Sequence, residues 1–192
     1  MRASSMRAWL AVTGLVLSAP STGAEAQIGV HDLAGRAVSP VDAAAPATVL
    51  LFTAVECPIS DRYAPAVRRL AERYRAKGVR FWLVYPNAGE LPAAVKKHAD
   101  AFSYGLPVVL DTARSLANQA QAAVTPEAAV FDREGHLRYH GRIDDRYSDF
   151  GVDRPVPTTH DLDDALAAVL DGRPVVRPHA PAVGCAIVRQ QP

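Results

Sequence analysis

Hydrophobic positions along the chain fall into blocks of two different periods. Thr48 to Val55 is continuously apolar and β-prone, which predicts a central parallel strand covered on both faces. Past Cys57 the period changes. Tyr63, Val67, Leu70 and Tyr74 recur at i, i+4, i+7 and i+11, one face of a helix that Gly78 ends. Pro58 suits a first helical turn, where a missing N–H costs little, and Pro65 inside the helix predicts a kink. Val79 to Tyr85 predicts a second buried strand. Leu91, Val95, Ala99 and Phe102 mark a second helix, Pro107 to Leu110 a short strand, and Thr112 to Ala120 a short helix. A strand over Glu127 to Phe131, the turn Asp132-Arg133-Glu134-Gly135 and a returning strand over His136 to Ile143 predict a hairpin. Thr159 or Asp161 then caps a last helix that buries Leu162, Leu166, Val169 and Leu170 and stops at Gly172.

The remaining segments lack such periods. Residues 27–46 read as an extended lead-in with a turn at Asp32 to Arg36 and a loop from Ser39 to Pro46. Residues 144–157 are irregular and rich in Asp, Arg and Pro, and the tail from Pro174 to Val188 is broken by prolines. The element order β-α-β-α-β-α, hairpin, helix predicts an α/β protein: a central mixed β-sheet flanked by helices on both faces. No glycine-rich phosphate loop follows the first strand, which argues against a nucleotide fold.

Composition adds a compartment and removes several functions. Arg2 and Arg7, the apolar run Ala8 to Leu17 and the small-x-small site Ala24-Glu25-Ala26 form the pattern of a signal peptide over residues 1–26, cut after Ala26. The expectation is a periplasmic or secreted protein with no membrane span in its mature chain. The domain proper covers 27–173, followed by a tail over 174–192 that carries Cys185. Of the 21 basic and 20 acidic residues, 19 of each remain after cleavage, with no basic stripe, so no nucleic-acid partner is expected. Both methionines, Met1 and Met6, fall in the signal, which argues against a Met-ligated copper or haem.

The chemistry centres on Cys57, where a buried strand ends and a helix begins. Unpaired N–H groups and the positive end of the helix dipole favour thiolate over thiol there. Cys185 is the only other cysteine, so any intramolecular disulfide must use it. Such a bridge would close most of the mature chain, worth about 4–5 kcal/mol in the chain-entropy model. Whether the tail reaches Cys57, and whether a bridge is permanent or reversible, is open at this level, because bridging needs Cα atoms within about 7 Å.

At Glu56-Cys57-Pro58-Ile59-Ser60 the chain resembles the thioredoxin-like superfamily, and more narrowly exported redoxin/peroxiredoxin-like (AhpC/TSA-type) proteins. In thioredoxins a strand runs into Cys-x-x-Cys and a helix kinked by a proline eight residues after the first cysteine, where Pro65 stands here. Val124-Thr125-Pro126 precedes the hairpin, where that fold keeps a cis-proline facing the cysteine. The resemblance, over roughly residues 28–171, implies a thioredoxin-like fold and thiol–disulfide chemistry on a protein or small-molecule thiol or disulfide, with no organic cofactor. Gly141 to Arg146 and Gly184-Cys185 are looser matches. Two departures stand out. Ser60 holds the second cysteine position, and it is also the place of the peroxidatic cysteine of peroxiredoxins, so neither a dithiol motif nor the peroxidase constellation is present.

The expected site is therefore Cys57 as attacking thiol, Cys185 as possible resolver and Ser60 as a supporting hydroxyl. Pro58, Thr125 and Pro126 would shape a substrate surface. Arg142, Asp144, Asp145 and Arg146 would rim the site if the hairpin's second strand ends beside Cys57, although exposed ion pairs in a loop are the commoner meaning of such charges. The rival reading is a non-catalytic module, binding a metal or a partner, with a structural Cys57–Cys185 bridge. His160 or His179 could join the cysteines around a metal, but no tight ligand spacing supports it, and none is assigned. His136 and His140 lie about 13 Å apart along a strand, too far to share an ion.

Overall fold

The computed structural model describes residues 30–188; the signal-peptide expectation lies outside the described residues. In chain order the elements are β1 (Val30–Asp32), β2 (Ala37–Val38), β3 (Ala47–Phe52), α1 (Pro58–Arg75), β4 (Arg80–Tyr85), α2 (Pro92–Ala101), β5 (Val108–Leu110) and α3 (Ser115–Gln119). There follow β6 (Val124–Thr125), β7 (Glu127–Asp132), β8 (Leu137–Gly141), β9 (Tyr147–Asp149), β10 (Val152–Asp153), α4 (Asp161–Leu170), β11 (His179–Ala180) and β12 (Cys185–Ala186).

The main sheet has the order β11-β8-β7-β3-β4-β5-β1-β2. β3, β4 and β5 run parallel, and β7 and β8 add antiparallel strands on the other side of β3. β3 is buried along its whole length, which is why its sequence shows a continuous apolar run and no alternation. Its residues still alternate between two cores. Val49 and Leu51 pack with Tyr63, Val67 and Leu70 of α1 and with Leu162 and Leu166 of α4. Leu50 and Phe52 face the other way, onto Leu116 and Ala117 of α3. Each such side chain taken from water contributes about 1.5–3 kcal/mol. The expected mixed sheet with helices on both faces is the observed one.

α1 runs from Pro58 through Pro65 to Arg75 as one helix. Local expectations needed correction at three places. α4 starts after His160, so neither Thr159 nor Asp161 is its cap. Their side chains are occupied elsewhere: the Thr159 hydroxyl donates to Asp161 at 2.8 Å, and the Asp161 carboxylate accepts from Arg142 at 2.8 Å and Arg177 at 2.7 Å. The stretch 144–157, read as irregular, carries the β9–β10 hairpin. The tail, read as Pro-broken coil, makes two strand pairings: β11 parallel to β8 and β12 antiparallel to β6. Both pairings pass a glycine. A Cβ at Gly141, where φ is +140°, would lie 2.8 Å from the Ala180 carbonyl carbon, and one at Gly184 would lie 2.7 Å from that of Thr125. Only glycine lets the tail backbone come this close.

Candidate active site

Cys57 is the residue preceding α1, with Pro58 as the first helical residue. The strand-to-helix junction thus places the sulfur at a helix N-terminus, although the side chain itself caps no backbone N–H. The residue is fully buried, and its Sγ donates to the Thr125 carbonyl at 2.9 Å. The Thr125–Pro126 bond is cis. Antiparallel pairing sets Cys185 directly opposite Thr125 and Ala186 opposite Val124. Cys57 is hydrogen-bonded to the Thr125 carbonyl and Cys185 is paired opposite Thr125, so the two thiols lie beside the same residue. Cys57, Thr125 and Cys185, from three distant parts of the chain, therefore meet at one point, and both cysteines are free thiols.

The two sulfurs are shifted in opposite directions from the ordinary value. Burial pushes the Cys57 thiol up, but the polar groups around it, Cys185, Ser60 and Thr125, outweigh it and bring it below the ordinary value. The Ser60 hydroxyl is buried and has no close partner; it acts on Cys57 once that sulfur carries charge. Cys185 moves the other way, pushed up to about 11 by burial, by the adjoining Cys57 sulfur and by the charge of Asp61. Of the two sulfurs Cys57 is therefore the one that gives up its proton first, the order that attack by Cys57 and resolution by Cys185 requires.

The residues expected to rim the site do something else. Arg142 holds Asp161 and Thr159. Asp144 accepts the Tyr63 hydroxyl at 2.6 Å and the Arg146 N–H at 2.9 Å. Asp145 accepts from the backbone N–H groups of Thr158 at 2.6 Å and Thr159 at 3.0 Å and from the Thr158 hydroxyl. Asp144, Asp145 and Asp161 are all buried. Neither rim nor exposed loop pairs describes them; they fasten the segment between β8 and α4. His160 and His179 join no cluster of ligating atoms with the cysteines. His160 precedes α4, and His179 stacks on His140 with ring centroids 4.3 Å apart.

Sequence reasoning missed a cleft beside the cysteine pair and the polar groups behind it. The cleft, about 630 Å³, is lined by both cysteines, by residues 54–56, 87–91 and 94, and by Ala186 and Val188. Glu90 enters it from the β4–α2 loop. Its Oε1 accepts the Val55 N–H at 2.6 Å, its Oε2 is buried without a partner, and burial raises its pKa. Under α1, Tyr85 meets His98 at 2.8 Å and His98 meets Asp61 at 2.8 Å. A lone Glu in a turn and a His on a helix face carry no spacing signal, so nothing in the sequence marks either.

The fold and the paired cysteines define a thioredoxin-like redoxin. The model of the AhpC/TSA family matches residues 19–140, and the chain belongs to that family. The tail with Cys185 lies beyond the matched stretch. No curated protein matches the sequence. Among solved structures, an uncharacterised conserved protein from Geobacillus kaustophilus is 29% identical, with a TM-score of 0.73 over 85% of this chain and 89% of that one. A hypothetical protein from Sinorhizobium meliloti is 29% identical, with a TM-score of 0.71 over 85% and 91%. A secreted Mycobacterium tuberculosis disulfide oxidoreductase homologous to Escherichia coli DsbE shares the fold at 14% identity, with a TM-score of 0.51 over 76% and 96%.

Proposed function

We propose that this protein is an exported thiol–disulfide oxidoreductase working through Cys57 and Cys185. The observation that carries the reading is the meeting of the two free thiols at Thr125, Cys57 hydrogen-bonded to its carbonyl and Cys185 paired opposite it. The Cys57 thiolate attacks one sulfur of a disulfide and expels the other as a thiolate. The resulting mixed disulfide is then attacked by Cys185, whose proton leaves with the second departing thiolate. The products are a Cys57–Cys185 disulfide, one thiol, and one thiolate that takes a proton from water, and the two electrons come from the cysteine pair. The reverse sequence oxidises a dithiol. Ser60 and the thiol of Cys185 stabilise the attacking charge, and Thr125 fixes the Cys57 sulfur before attack. Peroxide is not the proposed oxidant, because Ser60 stands where peroxiredoxins place their peroxidatic cysteine. The signal-peptide pattern of residues 1–26 supports action in an oxidising compartment.

The test is alkylation trapping of freshly exported protein, with Cys57 and Cys185 read by mass spectrometry across glutathione buffers. A reversible pair opens near about −200 mV. A bridge that stays closed in reducing glutathione would sink the proposal and establish the non-catalytic module in its place. Retention of residues 1–26 on the exported chain would refute the cleaved signal.

A further inference from the structure

We infer that the substrate is a small, apolar, non-anionic disulfide rather than an extended polypeptide. This rests on the thiol–disulfide reading above and names its substrate class. The argument begins at β6. A two-residue strand beside a reactive cysteine has one edge on which an extended chain could pair and present a disulfide to Cys57. Here the chain's own tail holds that edge. β12 pairs with β6, the Ile187 N–H continues the ladder to the Ala123 carbonyl at 3.0 Å, and the Val188 N–H reaches Asn87 Oδ1 at 3.2 Å. Gly184 permits the close crossing, and the Ile187 side chain is buried in the core beneath β3. An incoming polypeptide would have to displace all of this, and with it the resolving cysteine.

The cleft approaches the same two sulfurs from another side. At about 630 Å³ it matches a small molecule. Its wall is largely Ala54, Val55, Ala88, Leu91, Ala94 and Ala186, and Leu91 and Val188 at its mouth are exposed. Its acidic lining residues are the exposed Glu56 and the more enclosed Glu90, and no Lys or Arg lines it among the described residues. Apolar walls with carboxylates favour an apolar body that is neutral or cationic and disfavour an anion. Cys185 is partly exposed to this space and the buried Cys57 lies in its wall, so the cleft is where a group left on Cys57 as a mixed disulfide would sit while Cys185 attacks.

The experiment gives the reduced mature chain four probes: bis(2-hydroxyethyl) disulfide, cystamine, glutathione disulfide, and a ten-residue linear peptide whose single cysteine is disulfide-bonded to 2-mercaptoethanol. Rates of Cys57–Cys185 formation are read by quenched alkylation and mass spectrometry, each divided by the probe's rate with free N-acetylcysteine. The first two should lead the last two by about tenfold or more. Ala94→Phe, an exposed helix position that fills the cleft, should slow the first two at least fivefold without moving the pH profile of Cys57. Ala94→Lys should raise glutathione disulfide relative to cystamine. Equal normalised rates for peptide and small disulfides, or no effect of filling the cleft, would overturn the substrate class while leaving the thiol–disulfide activity standing. Failure of every probe to oxidise the pair would overturn the activity itself, and this inference with it.

Discussion

Replacing Gly184 by alanine tests the contact on which the cysteine pair depends. The new Cβ would stand 2.7 Å from the Thr125 carbonyl carbon, closer still to its oxygen, and 3.2 Å from the Pro126 nitrogen. All three are backbone atoms next to a core strand, so β12 must give way, by about 1 Å to reach ordinary contact. Overpacking of this kind costs about 1–3 kcal/mol. That strain falls on the Cys185–Thr125 pairing and so on the approach of Cys185 to Cys57. For a two-electron couple, 30 mV corresponds to about 1.4 kcal/mol, so the potential of the pair should become more oxidising by about 20–65 mV. Redox titration in glutathione buffers, read by alkylation and mass spectrometry, measures this directly. Thermal unfolding of the reduced forms gives an independent check, because a tail that only fastens itself should lower global stability less than it lowers disulfide stability. A G184A potential within about 10 mV of wild type would refute the reasoning that the close backbone crossing presents Cys185 to Cys57.

Three further outcomes follow from the same geometry. Ser60→Ala removes a hydrogen bond to a charged sulfur, worth about 1.5–3 kcal/mol, so the Cys57 thiolate midpoint, followed by ultraviolet absorbance in a Cys185→Ala background, should rise by about one to two pH units. Cys185 titrates higher folded than unfolded, from an ordinary value of 9.0 to about 11. The folded state therefore holds that proton longer, and stability contributed below pH 9 is lost between about pH 9 and 11; the wild-type minus Cys185→Ala difference in urea midpoints should fall across that window and be flat below it. Asp161→Asn removes the charge that holds Arg142 and Arg177, both partly solvated, and should cost about 1–3 kcal/mol in urea unfolding while leaving the redox potential of the cysteine pair unchanged.

Much of the fold was legible because its signals are local. The continuous apolar run of β3, the change to helical spacing after Cys57, and the turn between β7 and β8 each lie within a dozen residues. Those signals placed Cys57 at a strand-to-helix junction and Thr125–Pro126 before the hairpin. The role of Arg142, Asp144 and Asp145 was not legible, because a charged side chain at a surface and one in a buried clamp share the same letters. The capping of α4 was misjudged for the same reason, since Asp161 is drawn away by two arginines, one just after β8 and one in the tail.

By itself the sequence determined that a buried strand delivers one cysteine to a helix start, and that the second position of the motif is Ser60. It also determined that the one remaining thiol lies in a proline-broken tail. Only the tertiary structure decided that this tail returns to the site, pairs with β6 and brings Cys185 to Cys57. The physical reason is that β6 and β12 are two residues each, too short for any hydrophobic period. Their pairing is specified by backbone hydrogen bonds and by the absence of a Cβ at Gly184, neither of which leaves a pattern along the chain.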